Sequence, residues 1–561
     1  MRRARATALW IAAVAALSGA CAPEAPPESP AGEGRPPVAL PPDAPRLVLF
    51  LVIDQGGAEQ LERHRPLFTG GLARLLDESA RFTDAHHFHA DTETAPGYAT
   101  LATGRFPRAH GIVSNYWFDP EAGEWVYAVG DPELDISPRR LLADALGDWM
   151  KQAVPGAKVF AASGKDRSAV LLGGHRADGA FWYDPETGRF TTSEYYPAGG
   201  DAGEPAWLEA FRRDESPVAH FGRAWEPLPE VAAAAAALGV AELDYGAADP
   251  WFHFPHPLGG MSVAPGASYF YDLYASPFAD AYLGRFARAL LDGEELGRDA
   301  VPDLLAIAFS ALDLVGHDYG PDSLEYSDTL VRLDRTLGEL LDAVDRAVGL
   351  ERTLVVLSAD HGVAPAPEVA AARGGPGRRA GATEVLCVQG LEAALDERFG
   401  PPGPGSRWLR PGPFFEPEVL EERGVERAEA EAAAREVLEA CPGVARVWTR
   451  SELEAARLPD DPMALLFAHS FHPERSPDLL FQLEEGFLPL TPPRATTHGS
   501  PYPYDTHVPW LIRGAGIPPG EIAGRVATAD VAPTAAALVG IPAPAGLDGV
   551  DRSDAVRGRR P

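Results

Sequence analysis

The run from Thr353 to Val363, TLVVLSADHGV, sets the terms for the rest of the chain. A string of β-branched and apolar residues with no alternating polar face is what a strand covered on both sides requires. It stops abruptly at Asp360, His361 and Gly362. An Asp and a His side by side at the end of a buried strand are costly to bury unless something binds them. The same construction recurs. LVLFLVI runs into Asp54, and LLAIAFSALDLVGH runs into Asp313 and His317. His507 stands just before VPWLIRG. These places read as parts of one site.

Strands alternate with helical patterns along the chain. The expected fold is therefore α/β, a mostly parallel central sheet flanked by helices. Leu47 to Ile53 is the first strand. Helical spacing follows at Leu72, Leu75 and Leu76, again from Leu141 to Trp149, and after Pro96, where a helix can begin. Lys158 to Ala162 is a strand with Gly164 to Arg167 at its end. Tyr326, Leu330, Leu333, Leu337, Leu340, Val344 and Val348 mark a long helix with one buried face. Val508 to Ile512 is a short strand, and a last helix ends at Gly540. Two looser stretches, about 176–300 and 365–490, read as insertions forming a cap on a domain spanning 46–555.

The N-terminus reads as an export signal over residues 1–20: Arg2, Arg3 and Arg5, an apolar run from Ala6 to Leu17, then Ser18-Gly19-Ala20. Cys21 follows directly, as in a bacterial lipoprotein. Secretion or periplasmic release after Ala20 and lipid attachment at Cys21 both fit. Residues 21–45, rich in Pro, Ala, Gly and Glu, read as a disordered tether. Cys387 and Cys441 are the cysteines of the body. They either pair in an oxidising compartment or sit apart as buried thiols. The formal net charge of -32 argues against nucleic acid as a partner. Any anion site must be locally positive, through metals or a few Lys and Arg side chains.

Asp54, Asp313, His317, Asp360, His361 and His507 are three carboxylates and three imidazoles. That set suits two divalent ions with three protein ligands each and open positions for substrate. Zinc is the choice the ligand types favour. Singly, each residue is as well explained as a turn Asp or a satisfied core His. His498, in Thr497-His498-Gly499, lies near His507, and spacing does not choose between them. His507, which abuts a strand, is the expected ligand. Thr94, in Thr94-Ala95-Pro96-Gly97, is the candidate nucleophile, with helix capping as its ordinary alternative. Lys165 and Arg167 would hold phosphoryl oxygens, Arg167 as a fork. Asn115 would add its amide. A surface turn is the ordinary reading of both clusters.

Asp54, the Thr94–Gly97 turn, Gly111 to Asn115, the DxxxH of Asp313 and His317, Asp360-His361-Gly362 and His507 stand in the order found in the alkaline phosphatase superfamily. The chain resembles its type I phosphodiesterase/nucleotide pyrophosphatase branch, and within it the PafA-type bacterial alkaline phosphatases. The resemblance implies a phosphomonoesterase with two zinc ions, one on Asp313, His317 and His507, the other on Asp54, Asp360 and His361. It implies that Thr94 carries a phosphoryl intermediate, and that Asn115, Lys165 and Arg167 bind the non-bridging oxygens of a small phosphorylated substrate. Lys165 and Arg167 would separate a monoesterase from the diesterases of the branch. Tyr98 stands where His is common in the family. A sulfatase is disfavoured, because the nucleophile turn holds no Cys or Ser. The rivals are a phosphodiesterase or pyrophosphatase on the same site, and a non-catalytic, metal-bound surface lipoprotein.

Overall fold

Leu47–Ile53 forms β1, and every residue in it is buried. The computed structural model describes residues 38–199, 204–243, 253–260, 262–455, 461–489 and 494–558. The export signal, Cys21 and most of the tether lie outside the described residues. Successive side chains of a strand point to opposite faces. Leu47, Leu49, Leu51 and Ile53 accordingly enter one apolar core, and Val48, Phe50 and Val52 enter another on the far side of the sheet. A continuous apolar run is what two cores demand. Each Leu or Ile buried this way contributes about 1.5–3 kcal/mol over an exposed one.

The other strands of the sheet are β2 (Ala80–His86), β3 (Val159–Ser163), β4 (Gly179–Asp184), β5 (Arg189–Thr191), β6 (Asp303–Phe309), β7 (Thr353–Ser358), β8 (His507–Arg513) and β9 (Gly520–Ala527). Their order across the sheet is β9-β2-β8-β7-β1-β6-β3-β4-β5. The centre, β7-β1-β6-β3-β4, is parallel. β8 runs antiparallel to both β7 and β2, and β5 runs antiparallel to β4. The mostly parallel sheet expected from the sequence is present, with antiparallel pairings towards its edges.

Five helices matter below: α1 (Thr94–Thr103), α2 (Asp166–Gly173), α3 (Pro277–Gly293), α4 (Ala311–Tyr319) and α5 (Leu324–Ala347). The long helix starts at Leu324, with Ser323 accepting a hydrogen bond from Tyr326 N–H as its cap. The amphipathic pattern from Leu141 becomes helix only at Leu146–Ala153.

The first looser stretch is less separate than its sequence suggests. Its β4 and β5 complete the sheet, and α3 packs on α5. Phe181, Phe190, Trp225, Tyr282 and Phe286 join the same core as Leu47. Scattered aromatics carry no helical or strand period, yet each buries a large area. The second stretch has its own small core, centred on the helix Arg427–Glu439 and the paired strands Val444–Thr449 and Leu479–Leu483. The Cys387–Cys441 disulfide ties it together, Cα to Cα 5.7 Å apart.

Candidate active site

In a parallel sheet, the carboxyl ends of the strands collect ligands. Four adjacent strands, β7, β1, β6 and β3, end in Asp360, Asp54, the helix bearing Asp313, and Lys165. Asp360 and His361 follow β7 directly, and both are fully buried with Asp54. His361 Nε2 lies 3.3 Å from Asp360 Oδ2 and 3.7 Å from Asp54 Oδ1. Asp313 and His317, one turn apart on α4, form a second group with His498. His317 Nε2 and His498 Nε2 lie 3.4 and 3.5 Å from Asp313 Oδ1. The His361 and His498 rings stack with centroids 3.5 Å apart, so the two trios abut.

Each of the three imidazoles has Nδ1 on a backbone carbonyl: His317 on Thr496 (3.0 Å), His361 on Gly362 (2.9 Å) and His498 on Thr92 (2.9 Å). A carbonyl only accepts, so Nδ1 carries the hydrogen and Nε2 turns a lone pair inward. Burial pushes the His361 imidazole well down and that of His498 to about 3, which keeps both neutral. Burial raises Asp54 to about 6 against the pull of Lys165, and it raises Asp360 well above the carboxylate range. Asp54 Oδ1, Asp360 Oδ2 and His361 Nε2 are buried and have no hydrogen-bond partner among the described residues. Two carboxylate oxygens and an imidazole lone pair orphaned at one spot are a costly arrangement that a cation satisfies. The trios Asp54–Asp360–His361 and Asp313–His317–His498 therefore fit divalent ions.

Thr94 opens α1 and is 1% exposed. Its hydroxyl caps nothing. Lys165 Nζ lies 3.5 Å and Arg167 Nη2 3.4 Å from Thr94 Oγ1. Lys165 also reaches Asp54 Oδ2 at 2.8 Å and Asp313 Oδ2 at 2.7 Å, one carboxylate from each trio. Burial works against the ammonium, but Asp313 and Asp54 outweigh it and raise its pKa. Arg167 is positioned through Tyr127: its Nη1 donates to the Tyr127 hydroxyl (3.4 Å), which donates to Asp166 Oδ1 (2.5 Å). Asn115 Oδ1 accepts from Ala95 N–H at 2.9 Å, which leaves Nδ2 as the free donor end of the amide. The α1 backbone reaches this position because residue 97 is glycine: a Cβ there would lie 2.2 Å from the Asp360 carbonyl oxygen.

His507 is not in this constellation. It starts β8 opposite His86 in β2, and the two rings stack at 4.7 Å. Its Nε2 donates to Thr83 O (3.2 Å), and its neighbours are Asp84 and His86. The place beside Asp313 and His317 expected for His507 is taken by His498, carried on a loop that His317 O holds through Ala495 N–H at 2.9 Å. Abutting a strand was the wrong criterion, because the register with β2 commits His507 elsewhere.

Three other residues had no signal in the sequence. Gln55 sits in the left-handed region at φ 67°. Its N–H donates to Asp360 Oδ1 (3.1 Å) and its Nε2 to Asp313 Oδ1 (2.8 Å), linking the trios. Glu93 Oε2 accepts from Asn115 N–H and Ser114 Oγ, both at 2.6 Å. Tyr127 orients Arg167 as described.

The family model for type I phosphodiesterase / nucleotide pyrophosphatase matches residues 48–501. The chain belongs to this family. The matched span takes in every residue of the two trios and ends short of His507. Among curated members, the chain is 30% identical to alkaline phosphatase PhoV of Synechococcus elongatus, over 90% of this chain and 92% of the relative. It is 32% identical to alkaline phosphatase PhoK of a Sphingomonas species, over 89% of each. The crystal structure of wild-type alkaline phosphatase PafA superposes with a TM-score of 0.80 at 28% identity, covering 92% of this chain and all of that one.

Proposed function

We propose that the chain is an exported, metal-dependent phosphomonoesterase working through a phosphothreonine at Thr94. The observation that carries this is the position of Thr94 Oγ1, buried at a helix N-terminus within 3.5 Å of both Lys165 and Arg167. Asp54, Asp360 and His361 would hold one zinc and Asp313, His317 and His498 the other; when bound, the pair supplies Lewis-acid charge to the reacting oxygens.

The chain's own groups do the rest. Arg167 and Lys165 bind non-bridging phosphoryl oxygens, and Asn115 Nδ2 donates to the same group. The raised pKa of Lys165 keeps it protonated, so it acts as a charge and donor, not as the base. Thr94 Oγ1 forms a bond to phosphorus as the ester P–O bond breaks and the alcohol departs. Water then attacks phosphorus from the vacated side, the Oγ1–P bond breaks, and inorganic phosphate leaves. Little covalent work falls to the protein in such a transfer, so fixed charges supply most of the rate.

Two buried cations beside the nucleophile answer the dianion of a monoester better than the monoanion of a diester. The diesterase reading stays as the rival, because the family includes diesterases. The Cys387–Cys441 disulfide supports export, since such bonds persist in oxidising compartments. The N-terminal pattern supports it too, with periplasmic, secreted and Cys21-anchored forms as its alternatives.

The test compares an aryl phosphate with the bis-aryl phosphate, and wild type with Thr94→Ala. We expect the monoester to be preferred and the variant to form no phosphoenzyme while retaining its metals. A preference for the diester would overturn the reading of Lys165 and Arg167. Wild-type turnover by Thr94→Ala would overturn the nucleophile.

A further inference from the structure

A cavity of about 400 Å³ shares His498 with the second trio, and the mechanism above makes no use of it. His498, Glu93 and Ser114 are among its lining residues, the last two being sequence neighbours of Thr94 and Asn115. Its walls are aromatic. Trp117, Phe118 and Trp125 come from the hairpin of Tyr116–Asp119 and Glu124–Tyr127. Phe414 and Phe481 come from the second looser stretch. The Phe118 ring stands 6.1 Å from that of Trp125, near edge-on, and 6.0 Å from that of Phe414. Trp125 is 44% exposed, an unusual setting for so large an apolar side chain.

Two charged groups along this lining, Arg475 and Glu93, are already engaged. Arg475 Nη1 donates to Gly111 O and Arg140 O, at 2.6 and 2.7 Å, and its guanidinium lies over Trp117. Glu93 is held by Ser114 and Asn115. No lysine lines the cavity, and the carboxylate of Glu93 disfavours a second anionic group on the occupant. The same hairpin carries Tyr127, which orients Arg167. One element thus walls the cavity and sets the phosphoryl grip.

We infer that this cavity is the leaving-group subsite, and that it receives the organic part of the monoester as an uncharged, flat aromatic group. The inference rests on the phosphomonoesterase reading and adds the substrate class. With the phosphoryl group held at Thr94, the ester substituent has to extend away from it. The cavity, lined by the chain neighbours of Thr94 and Asn115, offers apolar and ring-edge contacts, the arrangement aromatic groups prefer. Its size falls in the range of small-molecule sites, about 300–1,000 Å³, and exceeds what phosphate or a methyl ester needs.

The experiment uses the full chain with its metals, and benzyl phosphate against methyl phosphate. The two leaving alcohols are nearly equally basic, so a difference reports contact and not leaving-group chemistry. We expect kcat/KM for the benzyl ester to exceed that for the methyl ester by about tenfold or more. Trp125→Ala should collapse this ratio, and Trp125→Phe should restore most of it. Benzylphosphonate should also bind more tightly than methylphosphonate, read by quenching of tryptophan fluorescence. Equal turnover of the two esters by wild type would overturn this inference and leave the phosphatase intact. Turnover of neither would overturn the phosphomonoesterase reading itself.

Discussion

Exchanging the two candidate histidines for alanine separates a metal donor from a strand-end residue. His498 Nε2 lies 3.5 Å from Asp313 Oδ1, with its Nδ1–H on Thr92 O and its ring stacked on His361. Truncation leaves Asp313 and His317 as the only side chains of their trio. Loss of an outer partner of a metal ligand costs about 10–100-fold in affinity, so loss of a direct donor should cost at least the upper end, about 2.7 kcal/mol. The lost carbonyl hydrogen bond should cost a further 1 kcal/mol or so of stability. His507→Ala removes a bond to Thr83 O and a stack on His86, both where β8 begins beside β2. It should cost about 1 kcal/mol of stability or less and no metal. Competition with a chelator, followed by elemental analysis of the dialysed protein, reads the difference. His498→Ala should lose one ion at chelator concentrations where wild type keeps two, and its kcat should fall with it. A His507→Ala protein that loses an ion while His498→Ala keeps both would refute the assignment.

Two other perturbations give distinct readings. Asp280 on α3 is buried, and its Oδ1 accepts from Ser310 and Ala311 N–H at the start of α4; burial raises its carboxyl to about 7. A folded pKa above the unfolded value of about 3.9 means that this group's stability is full in acid and is lost as pH climbs from about 4 to about 7. Asp280→Asn keeps an oxygen for both bonds, so its stability should gain on wild type across that window, by up to about 4 kcal/mol at pH 8, read as a growing difference in melting temperature; a constant offset from pH 4 to 8 would refute the argument. Tyr127→Phe removes the hydroxyl between Arg167 and Asp166. It should lower kcat/KM for an aryl phosphate by about tenfold, mostly through KM, while the bis-aryl ester is less affected; equal losses on both would show that Arg167 does not discriminate.

Strand content and the carboxylates were legible for one reason. A strand buried on both faces needs an unbroken apolar run, and a charged residue at its end stands out. Leu47 to Asp54 and Thr353 to Asp360 follow that rule, and so does the run into Asp313. His498 does not. It sits on a loop without period, and its place is fixed by contacts with Thr92 and with the His317 turn, far away in sequence. His507 misled because sequence does not give strand direction or register. Only the pairing of β8 with β2 shows that the ring meets His86 and not Asp313. Gln55 was hidden for a different cause: a glutamine after Asp54 carries no hint that its backbone will turn left-handed and its amide bridge two carboxylates. The β4–β5 pair was hidden among aromatics that read as a cap until their burial placed them in the core.

The charge of the site sets what it admits. Counted as ionised, the form that ligation of a metal requires, Asp54, Asp313 and Asp360 contribute three negative charges and Lys165 and Arg167 return two positive ones, a formal balance of −1; without metal, burial lifts Asp360 well above the carboxylate range and leaves the balance about zero. The chain around it carries -32. Such a pocket has no net attraction for a phosphate dianion, and the acidic chain around it repels one at long range. Two divalent ions on the trios would bring the balance to about +3 and invert that sign. Lys165 then has a place in both conditions. Its single positive charge bridges Asp54 and Asp313 and offsets one of their two negative ones, and from the same place it stands beside Thr94. The same residue keeps the donor set assembled and greets the substrate, and for that reason its charge, not its reach alone, is what the position selects.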